Sequence, residues 1–237
     1  MNTKVSAFIP LRANSKRIKN KNSKKFDNNG DSLFIFKLKQ LTKIEKLFEE
    51  IIISTNDKLI INQFNDLNLD KDKYKLIIRD QKLCQSTTKV KDLINHAYQV
   101  TKGDIIFWIH VTSPFINEID YRIALSRYKK ILKNKINDSL MSVNKIQQFL
   151  WDNENKKIIN KEFKSDNWIN TQILKPFYEI NHAFYINSRR NYLKYKDRIG
   201  KKPGLYICEK LKTVDIDWNE DFKYSQKLLS LYSNGFK

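Results

Sequence analysis

The sequence predicts an α/β fold in which a mostly parallel sheet is sandwiched by helices. Three observations carry that expectation. Short apolar runs such as "VSAFIP", "EIIIST" and "DIIFWIH" are continuous rather than alternating, as in strands covered on both faces. Stretches of helical period lie between them. Strand and helix patterns then alternate from Val5 to Val143, the rhythm of parallel crossovers.

Val5 to Pro10 reads as the first buried strand. Ser32 opens a helical pattern with Leu33, Phe34, Phe36, Leu38 and Leu41 available for an inner face. Glu50 to Thr55 is the second strand, and Asp57 is placed to cap a helix carrying Leu59, Ile60, Phe64 and Leu67. Lys73 to Arg79 is a third strand, Lys89 to Val100 a helix, and Asp104 to His110 a fourth strand. Asn117 to Leu132 is helical again, followed by a strand at Ser139 to Val143. Ligands of such sheets sit beyond the carboxyl ends of the strands, so the loops after Pro10, Arg79 and His110 are expected along one edge. From Gln147 to Pro176 the rhythm breaks. A hairpin is expected around Asn153-Glu154-Asn155, and residues 145–178 read as an arm or lid inserted in a single domain spanning 1–237, with dimerisation as its expected role. "HAFYINS" and "GLYICE" return as strands, and an amphipathic helix follows Asn219. Phe177, Tyr178, Phe184 and Tyr185 read as core or dimer packing, and His96 and His182 as structural or exposed.

The composition narrows the function classes. At 237 residues and 41% hydrophobic content the chain can bury a substantial core. No apolar run reaches membrane-spanning length, and "VSAFIP" is too short for a secretory signal core. Cys84 and Cys208 stand far apart without metal-ligand spacing, which points to a reducing, cytoplasmic setting. The formal charge of +19 raises the question of nucleic acid. Only eight of the 45 basic residues are Arg, and the Lys are dispersed along the chain, whereas nucleic-acid readers concentrate charge and favour Arg. A solvated lysine surface is the expectation, with neither nucleic acid nor membrane as partner.

One segment breaks that dispersion. "LRANSKRIKNKN", Leu11 to Asn22, carries five cationic side chains in twelve residues directly after the first strand. A strand, a basic loop and then a helix is an arrangement that holds phosphates. It is neither a Walker A nor a dinucleotide GxGxxG pattern.

"IPLRANSKRIKNKN" resembles the first signature of the CMP-sugar synthetases, the acylneuraminate cytidylyltransferase family, at Arg12, Ser15, Lys16, Arg17, Lys21 and Asn22. "HVTSPFI" (His110 to Ile116) and "TVDIDWNEDF" (Thr213 to Phe222) are similar to two further blocks of that family, in the same order. "LIIRDQKLCQSTTKV" and "INHAFYINS" add weaker likeness, so the resemblance spans nearly the whole chain. It implies a Rossmann-like sheet of the nucleotide-diphospho-sugar transferase type. It also implies transfer of CMP from CTP to a sugar hydroxyl, with pyrophosphate released and Mg²⁺ as cofactor, in a homodimer. Leu11, Arg12, Ser15, Lys16, Lys21, Asn22, Arg79 and Ser86 would bind the nucleotide, and Arg12, Lys21 and Asp217 would be catalytic. Asp215 and Asp217 would hold the metal, since a hard cation takes carboxylate oxygens. If they lie on a strand, residues two apart would share a face. His110, Thr112, Ser113, Lys175, Glu179 and Asn181 would face the acceptor.

Four departures qualify the resemblance. Ala13-Asn14 stands where the family favours glycines, Ser86 stands for an aspartate, and His110 for a glutamine. Thr171 and Glu179 stand where arginines suit a sialic-acid carboxylate. A modified nonulosonate is the first expectation for the acceptor, with Lys175 replacing the missing Arg; a different small acceptor is the alternative. The Kdo-type enzymes carry an acidic pair before Pro in the third block, unlike "VTSPF", and the intact Asp215 and Asp217 argue against a non-catalytic relative.

Overall fold

In the computed structural model, residues 3–161 and 168–233 are described. Seven strands form the main sheet: β1 (Val5–Pro10), β2 (Glu50–Thr55), β3 (Tyr74–Ile78), β4 (Ile105–Ile109), β5 (Ser139–Ile146), β8 (Phe177–Ser188) and β9 (Pro203–Ile207). β6 (Trp151–Asp152) and β7 (Lys157–Ile158) form a separate two-stranded hairpin, as expected around Asn153-Glu154-Asn155. The main order is β3-β2-β1-β4-β8-β5-β9, and β8 alone runs antiparallel to its neighbours.

The sandwich follows from side-chain alternation along the strands. Ala7 and Ile9 of β1 face a core with α1 (Leu33–Thr42), α2 (Lys58–Asn65), α4 (Glu118–Asn134) and α6 (Asn219–Ser233). Phe8, Ile52, Ile106 and Trp108 face the other way, against α3 (Val90–Val100) and α5 (Arg189–Tyr195). Local chemistry sets the helix starts. The Ser32 side chain accepts from the Ile35 amide, Asp57 accepts from Leu59, and Asn117 forms a reciprocal capping box with Asp120.

Three elements differ from the sequence reading. β8 begins at Phe177, five residues earlier than "HAFYINS" suggested, because a bulge interrupts its alternation. Met141 pairs with Tyr185 but Val143 pairs with Ile180, so β8 carries the excess residues. His182 sits there at φ 59°, and the Ser142 hydroxyl closes the gap by accepting from the Phe184 amide at 3.0 Å and donating to its carbonyl at 3.2 Å. Helix α5 was not anticipated. Residues 213–218, where a strand would have set Asp215 and Asp217 on one face, form an irregular segment outside the sheet.

β5 and β8 remain paired out to Ile146 and Phe177, and the β6–β7 hairpin lies in the chain between them. Asn160, 1% exposed, holds this region through the Leu150 amide, the Gln148 carbonyl and the Lys175 amide. Trp151, Trp168 and Ile173 are exposed, and Phe177, Tyr178 and Ile180 partly so. No described helix is long and apolar enough to cross a membrane.

Candidate active site

The loops after Pro10, Arg79 and His110 enclose a cleft of about 530 Å³. The loop from Leu11 is tied to the sheet by the Leu11 amide on Ser54 O and the Ala13 amide on Asn56 Oδ1, both at 2.9 Å, and by the buried Ile18. Asn14 adopts φ 58°, a left-handed conformation that asparagine tolerates where the family favours glycine. Helix α1 starts only at Leu33, and its cap serves its own amides. The cationic character of the cleft therefore comes from side chains rather than from a helix terminus.

Arg12, Ser15, Lys16, Arg17, Lys21 and Asn22 all line this cleft. Arg12 reaches Gln85 O at 3.5 Å. Lys21 donates to Ile216 O at 2.5 Å and lies 3.5 Å from Asp217 Oδ1. Arg17 pairs with the same Asp217 oxygen at 2.7 Å, its guanidinium 5.1 Å from the Trp218 ring. Burial holds Lys21 below the ordinary lysine pKa, with Asp217 and Asp215 pulling the other way. The irregular 213–218 segment is docked by the Ile216 amide on Thr112 O at 2.9 Å.

Arg79 is buried in the cleft wall. It donates to Leu11 O and to Cys84 Sγ, leaving Nη1 with no partner among the described residues. Asn22 Oδ1 is likewise buried and unpaired. Two such atoms in one wall call for a polar ligand. Ser86 is not among the lining residues; Gln85, Thr88 and Lys89 occupy that side.

Across the cleft, His110 Nε2 accepts from Trp108 Nε1 at 2.8 Å. Burial, aided by Arg198, His182 and Lys21, pushes its pKa down to about 3. The ring is neutral and its Nδ1 carries the proton. Thr112 lines the cleft, but Ser113 is buried outside it. The Ser113 carbonyl accepts from Lys37 Nζ at 3.0 Å, Ile116 O accepts from the same amine at 2.5 Å, and Gln40 donates to Pro114 O at 2.8 Å. Helix α1 thus pins the "VTSPFI" loop, and burial lowers the Lys37 pKa to about 7. The sequence reading missed Lys37; a lysine on the inner face of an apolar helix was its only signal.

Asp215 and Asp217 come together despite lying off the sheet. Burial raises the Asp215 pKa, Asp217 raises it further, and the Thr112 side chain, Lys21 and His182 oppose them. Asp215 Oδ1 is buried without a partner. That orphaned oxygen beside a second carboxylate suits a hard divalent cation that takes its other ligands from water and phosphate. Among the described residues no group of three or more His, Cys, Asp and Glu assembles a complete metal cage.

The remaining predicted acceptor residues scatter. Asn181 is buried and bonded to Asn144 Oδ1 at 2.7 Å and Cys208 Sγ at 3.2 Å. Glu179 Oε2 accepts from Asn144 at 3.1 Å. Lys175 is exposed in the arm, its amide on Asn160 O, and Thr171 opens a short 3-10 turn there. His182, which the sequence reading left as structural or exposed, is exposed and bonded through Nδ1 to the Tyr185 hydroxyl at 2.6 Å. Burial and then Arg198 hold its pKa below the ordinary histidine value, with Asp215, Asp217 and Glu179 pulling the other way.

A mostly parallel sheet whose edge gathers cations opposite a carboxylate pair is the architecture of a nucleotidyltransferase. The family model described as "Cytidylyltransferase" matches residues 6–237, and the chain belongs to that family. It is 24% identical to the N-acylneuraminate cytidylyltransferase of Escherichia coli O18:K1:H7 over 99% of this chain, and spans 56% of that relative's length. It is 24% identical to the post-translational flagellin modification protein B of Campylobacter coli, covering 96% of this chain and 95% of that one. Among solved structures, a CMP:2-keto-3-deoxy-manno-octonic acid synthetase complexed with CTP superposes with a TM-score of 0.63 at 13% identity, over 97% of this chain and 100% of that one. At that identity the match concerns the fold.

Proposed function

We propose that this chain transfers CMP from CTP to a sialic-acid-like nonulosonate, releasing pyrophosphate, with Mg²⁺ as cofactor. The observation that carries this reading is the meeting of Arg17 and Lys21 with Asp217, two segments some 200 residues apart that close one cleft. Arg12, Ser15, Lys16 and Lys21 would hold the triphosphate, where positioning and charge stabilisation supply most of the catalysis of phosphoryl transfer. The unpaired atoms of Arg79 and Asn22 would take polar groups of the cytidine. Neutral His110 would offer Nδ1–H to the acceptor. Asp215 and Asp217 would hold Mg²⁺, with Arg17 released from Asp217 to the phosphates. The bound cation would neutralise phosphate charge and lower the pKa of the attacking hydroxyl.

One relative's name, N-acylneuraminate cytidylyltransferase, supports an acidic sugar. Glu179, which would repel a carboxylate in the pocket, is not among the residues that line the cleft and is bonded to Asn144 outside it. The exposed Trp151, Phe177, Tyr178 and Ile180 give the arm an apolar face suited to a homodimer contact. The reading is tested by pyrophosphate release with Mg²⁺, comparing CTP with the other nucleoside triphosphates over a panel of sugar acids. CTP preference and a severe loss in Lys21→Ala are expected. Release from no sugar acid, or equal use of every triphosphate, overturns it.

A further inference from the structure

We propose that Arg198 grips the anionic group of the acceptor and makes the enzyme selective for a carboxylate-bearing sugar. This rests on the cytidylyl-transfer reading above and names what decides its second substrate.

Arg198 follows α5, the helix that the sequence pattern did not reveal. Its guanidinium lies 4.1 Å from the Tyr185 ring centroid and 5.3 Å from that of Trp108. Those rings are register neighbours on β8 and β4, so together they form a floor beneath the cation. Aromatic faces hold a guanidinium without consuming its N–H donors. Four other arginines commit donors to the protein, Arg17 to Asp217, Arg79 to Leu11 O, Arg127 to Leu205 O and Arg189 to Thr101, although Arg79 keeps Nη1 unpaired. No described residue takes a hydrogen bond or ion pair from the Arg198 guanidinium, and the adjacent Asp197 carboxylate accepts from the Ile199 amide.

The same two rings are tied toward the cleft, Trp108 through His110, which lines it. Trp108 donates to His110, and the Tyr185 hydroxyl bonds to His182. A second recess of about 480 Å³, lined by the cations Arg198, Lys91 and Lys196 and by one carboxylate, Asp197, adjoins the nucleotide cleft at Val90, which lines both. Arg198 thus lies beside the nucleotide cleft, near enough to His110 and His182 to act on the charge of both rings. His110 is neutral there and offers no competing charge. Lys175, exposed in the arm, has no comparable seat. A planar fork with free donors, fixed on aromatic rings, is matched to a carboxylate, which it can bind through two parallel hydrogen bonds.

The test pairs each accepted sugar acid with its carboxamide and measures both in wild type, Arg198→Lys and Arg198→Gln, with CTP binding followed separately by calorimetry. Wild type should prefer the acid. In Arg198→Gln the acceptor KM for the acid should rise about 10- to 100-fold, the acid-to-amide preference should collapse, and CTP affinity should hold. Arg198→Lys should fall between, keeping charge but losing the fork. Retained acid preference in Arg198→Gln overturns the proposal alone and leaves the transfer reading intact. Parallel loss of CTP binding assigns Arg198 to structure and also overturns it. A wild type inert with every acid overturns the transfer reading and the proposal with it.

Discussion

The two sides of the cleft are built by different rules. On the nucleotide side, β1, β2, β3 and β4 run parallel, and successive loops deliver Arg12 to Asn22, Arg79 and His110 to one edge. Each functional group sits next to the strand that positions it. On the proposed acceptor side, the reversed β8 meets β5 through a bulge, and Tyr185 and His182 of β8 are joined by Arg198 from the chain after α5. The first side is a property of contiguous sequence. The second is a property of register and crossing.

The largest effect should come from the residue that joins the two. Asp217→Ala removes the shared partner of Arg17 and Lys21 and one proposed metal ligand, so turnover should fall by about 10²–10³-fold or more with the fold intact by circular dichroism. Wild-type turnover would break the division at its hinge.

Next comes Lys37, which supports the nucleotide side from behind. Lys37→Met leaves the Ser113 and Ile116 carbonyls without their donor and should cost about 2–5 kcal/mol of stability in urea unfolding. It also yields a pH signature. Below about 7, Lys37 is protonated both folded and unfolded, and the burial penalty is fully present. From there toward the ordinary value of 10.5 only the unfolded chain still binds the proton, so this group makes stability rise with pH. The difference between wild type and Lys37→Met should grow across that window; a constant difference would mean that Lys37 keeps its charge. The neutral amine retains two N–H donors for the two carbonyls.

Ser142→Ala should be smaller and confined to the other side. Losing the hydroxyl that seals the β8 bulge should cost about 1 kcal/mol and raise the acceptor KM while leaving the CTP KM unchanged. Equal shifts in both would show that the sides are mechanically coupled. Smallest is Asn14: Asn14→Gly should be nearly silent in thermal melts, whereas the β-branched Asn14→Val should lose about 1–2 kcal/mol at φ 58°.

This contrast explains what was legible in the sequence. Strands β1 to β4 and their helices were readable because their apolar runs are short, continuous and separated by capping residues such as Ser32 and Asp57. The basic loop was readable because its cations are adjacent in the chain. Of β8 only the second half was, as "HAFYINS", because an αL residue at His182 shifts the alternation on either side of it. Ser86 misled because the wall it was expected to share is made by Gln85, Thr88 and Lys89. Asp215 and Asp217 were singled out for their chemistry, but their backbone was not legible: Thr112 and Lys21 hold the irregular segment through the Ile216 backbone, a tertiary contact that no local pattern announces.

The cationic loop leans on segments synthesised long after it. Phe222 packs on Phe26 at 5.5 Å between ring centroids, Gln226 donates to Phe26 O at 2.9 Å, and Arg17 waits for Asp217. Those contacts span about 200 residues. At 5–20 residues per second a ribosome needs roughly 10–40 s to cover that distance. Until then the nascent chain exposes a strip of unneutralised positive charge, and the ribosome that makes it is built of polyanionic RNA.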